Sequence, residues 1–336
     1  MSEQIQPLSD PEIAGLAEVL DPIALAKHLR VVARAPWNGA PVEEVEVRVL
    51  RHHVRRRCTL EIGIRTAKGR HVLIGKVYRK DRSHIFHAME GIQRDGFGPQ
   101  EELSIPAPVA YLSPLHLLLQ EKVEGPLADE VFKTGDEPSR AAAAERCARW
   151  LARFHTLAPK AGEVSYARDH LDSESMQRCS REISKAGGSL AGKAARLFQQ
   201  LENTAASLSP VEMCAGHGSY SAAQVVLAQG RTVAFDWDRY DVADPGRDVG
   251  RFLGALRRRA LGEFGSLRAL DGAAEVFLKT YLAAGPPGAQ RNLRFFEAAA
   301  CLKWAKHNLT HQVPGWPEKT ETMLDEGLDI LDREAA

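Results

Sequence analysis

The chain has no imbalance of charge: 44 lysines and arginines stand against 44 aspartates and glutamates in 336 residues. Proteins held by phosphate backbones or anionic lipid show a basic excess or a basic face, so neutrality argues against nucleic acid and membrane surfaces as partners. Paired cysteines are missing as well. Cys58, Cys147, Cys179, Cys214 and Cys301 lie far apart without a C-x-x-C pair, which excludes a zinc cage or a disulfide framework and suits a reducing compartment. No stretch reaches the roughly 18 uncharged apolar residues of a membrane span. The opening MSEQIQPLSDPEIAGLAEVL has no basic segment leading into an apolar one, so a cytoplasmic location is expected. Aromatic residues are few at 7%, yet 44% hydrophobic and 26% charged residues make an ordinary globular composition, and the length allows two domains.

Three regions follow from the pattern. Residues 1–41 read as a helical extension: DPEIAGLAEVLDPIALAKHL has helical spacing from a start signal at Asp10-Pro11, and PWNGAP, residues 36–41, breaks it. Residues 42–124 read as a β-rich lobe. VEEVEVRVL alternates charged and apolar residues, RCTLEIGIRT follows, and Lys68-Gly69 turns into RHVLIGKVYR, which predicts a three-stranded meander. A helix then runs from Asp81 or Ser83 with Ile85, Met89 and Ile92 on one face, stopped by Gly96 or Gly98, and IPAPVAYL and HLLLQEKVEG supply two more strands. Residues 125–336 are mostly helical, with Cys147, Trp150, Leu151 and Phe154 as one such stripe. A hairpin interrupts the helices where AQVVLA and RTVAFDW meet at Gln229-Gly230.

Chemistry-bearing residues crowd around that hairpin. CAGHGSYSAAQ precedes it and FDWDRYDVADPGRD follows it, so that His217, Asp236, Asp238, Asp241, Asp244 and Asp248 collect at one small β element. Oxygen donors at the two ends of a hairpin return to one edge and can hold a hard cation. Aspartates beside glycine and proline also serve as turn and cap residues, and both readings stand for any single one of them.

The segment resembles the aminoglycoside phosphotransferase family of kinase-like enzymes, whose pattern is H-G-D, then Asn or Gln and two apolar residues, then a strand ending in Asp-Trp or Asp-Phe, then D-P-x-x-D. The matching residues are His217-Gly218-Ser219, Gln224-Val225-Val226, Phe235-Asp236-Trp237 and Asp244-Pro245 through Asp248. HVLIGKVY resembles the family's third strand, LLLQEKVEGPL its hinge, LARFH its helix after the hinge and WPEKTETMLDEGLDIL its terminal helix. The resemblance implies an α+β, two-lobed protein-kinase-like fold that binds ATP and Mg²⁺ between the lobes near the hinge. Lys76 would neutralise nucleotide phosphates with Glu90 as its ion-pair partner, and the hinge residues Glu121 and Val123 would contact the nucleotide. Asp236 and Gln224 would ligate Mg²⁺. Asp244 would be structural, ending a loop with Pro245, Asp248 would cap or brace the catalytic loop, and His217 would orient it.

Two departures qualify the expected activity. Ser219 stands where the family has its catalytic base, and a serine cannot by itself take a proton at neutral pH; general base catalysis contributes roughly 10²–10⁴ in rate. Asp238, two residues past the metal position, is the spare carboxylate. The turn HHVRRRC carries no glycine, so Arg56 and Arg57, with Arg55, would grip phosphate through guanidinium groups; a solvated basic turn is the alternative. The sequence therefore supports two functions. One is an ATP- and Mg-dependent phosphotransferase acting on a small-molecule hydroxyl; the other is a pseudokinase, a nucleotide-binding module with a protein partner. Acceptor identity, ATP against GTP and oligomeric state stay open.

Overall fold

The computed structural model describes residues 9–32, 36–37, 39–165 and 174–333; Asn38 of the PWNGAP break and the end of the extension at 33–35 lie outside them. The chain divides into two units, Met1–Gln100 with Ile105–Glu124, and Glu101–Ser104 with Gly125–Ala336.

The first unit is built on an antiparallel five-stranded sheet. Its strands are β1 (Val42–His53), β2 (Arg57–Thr66), β3 (Gly69–Tyr78), β5 (Pro108–Leu112) and β6 (Leu117–Glu121), in the order β1-β2-β3-β6-β5. The meander and the two later strands are those the alternating pattern predicts. Helix α3 (Ser83–Ile92) follows β3 and runs on as one wide turn over Gln93–Phe97, where Gly96 at φ +97° ends the helical path.

The amino-terminal segment forms two short helices, α1 (Leu16–Leu20) and α2 (Pro22–Leu29), rather than one helix started at Asp10-Pro11. Asp21 is extended, as the residue before a proline prefers, and its carboxylate caps α2 by accepting from the amides of Ile23 and Ala24 at 2.9 and 3.4 Å. Ile13, Leu16, Val19, Leu25, Leu29 and Trp37 pack in one core with Leu60, Ile62, Leu73, Val77, Leu117 and Leu119. Pairing puts Leu60 opposite Gly75 and Ile62 opposite Leu73, so the helices cover one face of the sheet. A β-carbon on Gly75 would lie 2.7 Å from Ile62 Cδ1 and 3.1 Å from Leu117 Cδ1, so a larger residue there would have to displace the ends of these side chains.

The second unit is mainly helical: α4 (Ala128–Thr134), α5 (Glu137–Leu157), α6 (Glu174–Ser184), α7 (Gly188–Ala205), α8 (Gly246–Phe264), α9 (Asp271–Ala284), α10 (Leu293–Thr310) and α11 (Trp316–Asp332). Leu197, Leu201, Phe295, Leu302, Met323 and Leu324 are among the apolar residues that join α7, α10 and α11. Two three-stranded sheets lie among the helices. The first orders β4 (Leu103–Ser104), β10 (Arg231–Ala234) and β9 (Val225–Ala228); the second orders β7 (Val164–Ser165), β11 (Asp241–Ala243) and β8 (Cys214–Gly216). β9 and β10 are the hairpin foreseen at Gln229-Gly230, with Gly230 at φ +70°.

Candidate active site

Hairpin register builds the first part of the site. Val225 pairs with Ala234 and the Phe235 amide donates to the Gln224 carbonyl at 3.0 Å, so Gln224 stands opposite Phe235, the residue before Asp236, at the open end. Asp236 has φ +76°, a left-handed backbone that side chains other than glycine adopt at a cost, and such positions collect at functional sites. Trp237 is buried against the His217 ring, with centroids 4.7 Å apart, and anchors the strand exit. The Gln224 Oε1 atom accepts from the Ser221 hydroxyl at 2.7 Å, leaving its second lone pair available. A carboxylate and an amide oxygen are the hard donors Mg²⁺ takes while keeping several waters, so this pair fits the ion. Asp238 is half-buried in the turn that the Tyr240 amide closes on the Trp237 carbonyl at 3.1 Å.

The second part is the loop from His217 to Ser221. Asp248, in the first turn of α8, receives the amide of His217 at 2.7 Å and that of Gly218 at 3.0 Å. Its Oδ2 also lies 3.5 Å from His155 Nε2. Burial alone would raise the Asp248 carboxyl; the His155 hydrogen bond and the Arg247 and His155 charges outweigh it and hold the group well below the usual carboxylate range. A charged Asp248 therefore clamps the loop, the bracing role the sequence suggests. Gly218 sits at φ +73°, and a β-carbon there would meet the Arg239 carbonyl, so no larger residue fits. Tyr220 stacks on Trp150 and donates to the Cys147 carbonyl at 2.8 Å, fixing the loop to the core.

His217 has both ring nitrogens engaged. Its Nε2 lies 3.0 Å from the Phe235 carbonyl, which can only accept, so the proton is on Nε2 and Nδ1 is an acceptor. The Ser219 hydroxyl, 3.2 Å away, donates to that Nδ1. Burial lowers the His217 pKa, and Asp248 and Asp236 offset this only in part, so the ring is neutral. Asp244 accepts from the Gly246 amide at 2.7 Å and from Asn292 Nδ2 at 2.8 Å, which makes it the structural cap its place before Pro245 suggests.

The remaining candidates belong to the first unit. Lys76 is buried on β3, the central strand, opposite Thr59 and Leu118 and on the sheet face away from the N-terminal helices. Glu90 on α3 lies 3.3 Å from His87 Nδ1. Arg56 is exposed in the β1–β2 turn and Arg57 pairs with His53 at its base. The amide of Arg55, at φ +59°, donates to Asp10 at 2.7 Å, and Asp10 also meets His52 Nε2 at 2.8 Å. Asp10 therefore ties the extension to this turn instead of starting a helix. Glu121 exchanges two hydrogen bonds with the Ala107 backbone, at 2.8 and 3.0 Å, and Val123 is half-buried just beyond β6.

Sequence reasoning missed the cationic side chains beside the loop. Arg247 grips Asp241 with two bonds of 2.5 and 2.6 Å, and Arg251 and Lys303 lie with it around a recess. The i, i+4 spacing of Arg247 and Arg251 on α8 was the available signal.

A family model described as the phosphotransferase enzyme family, APH, matches residues 73–292, well over half of the chain. The chain belongs to the phosphotransferase enzyme family. Solved structures of similar fold include a putative aminoglycoside phosphotransferase from Ralstonia eutropha, 13% identical over 93% of this chain and 98% of that one, with TM-score 0.60. A choline kinase from Cryptosporidium parvum is 12% identical over 85% and 88%, with TM-score 0.55. An amicoumacin kinase in complex with AMP-PNP, Ca²⁺ and Ami is 15% identical over 92% of each chain, with TM-score 0.57. At these identities the neighbours show the fold alone: a kinase-like α+β chain with an antiparallel sheet in its N-terminal region and helices in its C-terminal region. No curated protein sequence matches this family member. Among its described residues no helix is long and apolar enough to cross a membrane.

Proposed function

We propose that the protein transfers the γ-phosphoryl group of ATP to a hydroxyl of a small molecule, with Mg²⁺ held by Asp236 and Gln224 and the phosphates neutralised by Lys76. Family membership supports the reaction type, and the kinase neighbour bound to AMP-PNP and Ca²⁺ supports a nucleoside triphosphate with a divalent cation. Arg56, Arg57, Glu121 and Val123 are the further nucleotide contacts in this reading, and Glu90 positions Lys76. We assign the activity to the cytoplasm, where the five free, buried cysteines stay reduced.

The observation that carries this reading is the Ser219 hydroxyl set against the proton-accepting Nδ1 of His217. As the acceptor oxygen bonds to phosphorus and the bond to the ADP oxygen breaks, the acceptor's proton passes to Ser219 Oγ. The Ser219 proton passes in turn to His217 Nδ1, leaving an imidazolium near Asp248 and Asp236. Mg²⁺ supplies charge neutralisation at the phosphates. Phosphoryl transfer passes through a loose transition state that asks little of its base, so a relay through a weak base suffices.

The test is a thermal shift with and without Mg²⁺, paired with ATP turnover over hydroxylated acceptors. Mg-ATP raises the melting temperature by mass action, and Lys76→Met or Asp236→Asn abolishes the rise. Absence of any rise in the wild type would overturn nucleotide binding. The missing carboxylate at 219 favours the second reading, a pseudokinase serving a protein partner, which a Mg-ATP shift without turnover on any acceptor would establish.

A further inference from the structure

A small recess in the second unit is lined by Gly218, Arg247, Arg251, Phe296, Ala300 and Lys303. Gly218 immediately precedes Ser219, so the recess opens beside the loop that carries the proton relay. Three of its six lining residues are basic, and Arg239, whose backbone touches Gly218, adds a fourth basic group nearby. The carboxylates close by are committed elsewhere. Asp241 is taken by the two terminal nitrogens of Arg247, and Asp248 by the His217 and Gly218 amides and His155.

Two donors are left over. The Nε atoms of Arg247 and Arg251 are buried and meet no acceptor among the described residues, and Arg247 is only 8% exposed. A buried donor without an acceptor costs about 1–3 kcal/mol, more when charged, and native folds seldom leave one without reason. The cations also press on one another. Burial, then repulsion from Arg251, Arg239 and Arg247, lowers the Lys303 pKa well below its usual value. Burial and then Arg239 push the Arg251 pKa down to about 10, with Asp248 and Asp236 opposing. Arg251 and Lys303 are half-buried as whole residues.

We propose that the molecule receiving the phosphoryl group carries an oxyanion of its own, a phosphate or a carboxylate, which Arg251, Lys303 and the Nε of Arg247 hold beside Gly218. This rests on the phosphotransferase reading and names its acceptor class. Guanidinium donors suit planar or tetrahedral oxyanions, and an oxyanion supplies acceptors to both orphaned Nε groups while screening the repulsion.

Inorganic phosphate is the first probe, added to the full-length protein without nucleotide and followed by thermal shift. A rise of several degrees at millimolar phosphate is expected, lost in Lys303→Met and in the milder Arg251→Lys but kept in Lys76→Met. Loss in Lys76→Met with retention in both recess variants would place the anion at the nucleotide phosphates and overturn the proposal, as would no shift at all. The second probe is ATP turnover with matched acceptors, a sugar against its phosphate ester and a hydroxy acid against its amide. At least tenfold preference for the anionic member is expected, falling to parity in Lys303→Met. Equal or better turnover of neutral acceptors, or of cations such as choline, would overturn it. Binding of Mg-ATP is read separately, so failure of the nucleotide reading is distinguishable from failure of the recess.

Discussion

The hydroxyl of Ser219 and the Nδ1 atom of His217 are 3.2 Å apart, held so because the opposite ring nitrogen is committed to the Phe235 carbonyl. If this contact carries the acceptor's proton, Ser219→Ala lowers turnover about 10²-fold, the lower end of general base effects. His217→Gln lowers it similarly, and the double variant falls no further than either. Ser219→Asp, which supplies a carboxylate directly, raises turnover above the wild type. Steady-state ATPase and acceptor assays on the four variants check this; additive losses would show two independent roles.

Asp248 holds two backbone amides and a histidine while being 1% exposed. Removing its charge leaves those donors facing a weaker acceptor, and hydrogen bonds to charged groups contribute about 1.5–3 kcal/mol each. Asp248→Asn is expected to lose about 3 kcal/mol in urea unfolding, the range seen when a buried pair is broken. A loss under about 1 kcal/mol would mean the loop is held mainly by Tyr220 and Trp237.

Two buried histidines bend the pH profile in opposite directions. The His217 pKa is lowered, chiefly by burial. The unfolded chain therefore takes up the proton first, and stability drops as pH falls below the unfolded value of about 6.5. For His155, burial acts downward, but Cys214, Tyr281 and Asp248 together raise the pKa well above 6.5. Its contribution is full below about 6.5 and is lost as pH rises through its folded value. Melting temperature should peak near pH 6.5, His217→Gln should flatten the acid side, and His155→Gln the alkaline side.

Glycine substitutions separate packing from propensity. A β-carbon on Gly15 would lie 2.4 Å from the Leu115 carbonyl oxygen, whereas one on Gly192, inside α7, would meet nothing within 4 Å. Gly15→Ala is expected to destabilise by about 1–3 kcal/mol, as overpacking does. Gly192→Ala should stabilise by about 1 kcal/mol, the helix-propensity gain over glycine. Denaturant midpoints of the two variants should therefore move in opposite directions.

Much of the fold was legible because its periods were clean. VEEVEVRVL alternates, VLIGKVY is a short apolar run, and Gln229-Gly230 marks the hairpin whose register sets Gln224 opposite Phe235. Lys76 between apolar neighbours read as a charge with a purpose, and it lies buried on the central strand. Less was legible where a residue's partner is distant in sequence. Asp10 looked like a helix start because its link to His52 and Arg55 spans more than forty residues. Lys303 gave no signal in the sequence, since its neighbours Arg247 and Arg251 come from another helix. The Ser219 departure was visible at once, but the tautomer that gives it a partner depends on a carbonyl at Phe235 that no spacing rule singles out.

Leu103 and Ser104 run parallel to Thr232 and Val233, and the Ser104 carbonyl accepts from Trp150 Nε1 at 2.8 Å. These residues belong to the second unit although the chain on both sides of them belongs to the first. The polypeptide is stitched rather than strung, so no single cut yields two intact halves. A fragment beginning at residue 125 would leave β10 with an open edge and Trp150 without its acceptor. During synthesis β4 leaves the ribosome more than a hundred residues ahead of β10, its partner. The sheet that leads into Asp236 is therefore complete only once the chain has passed residue 234.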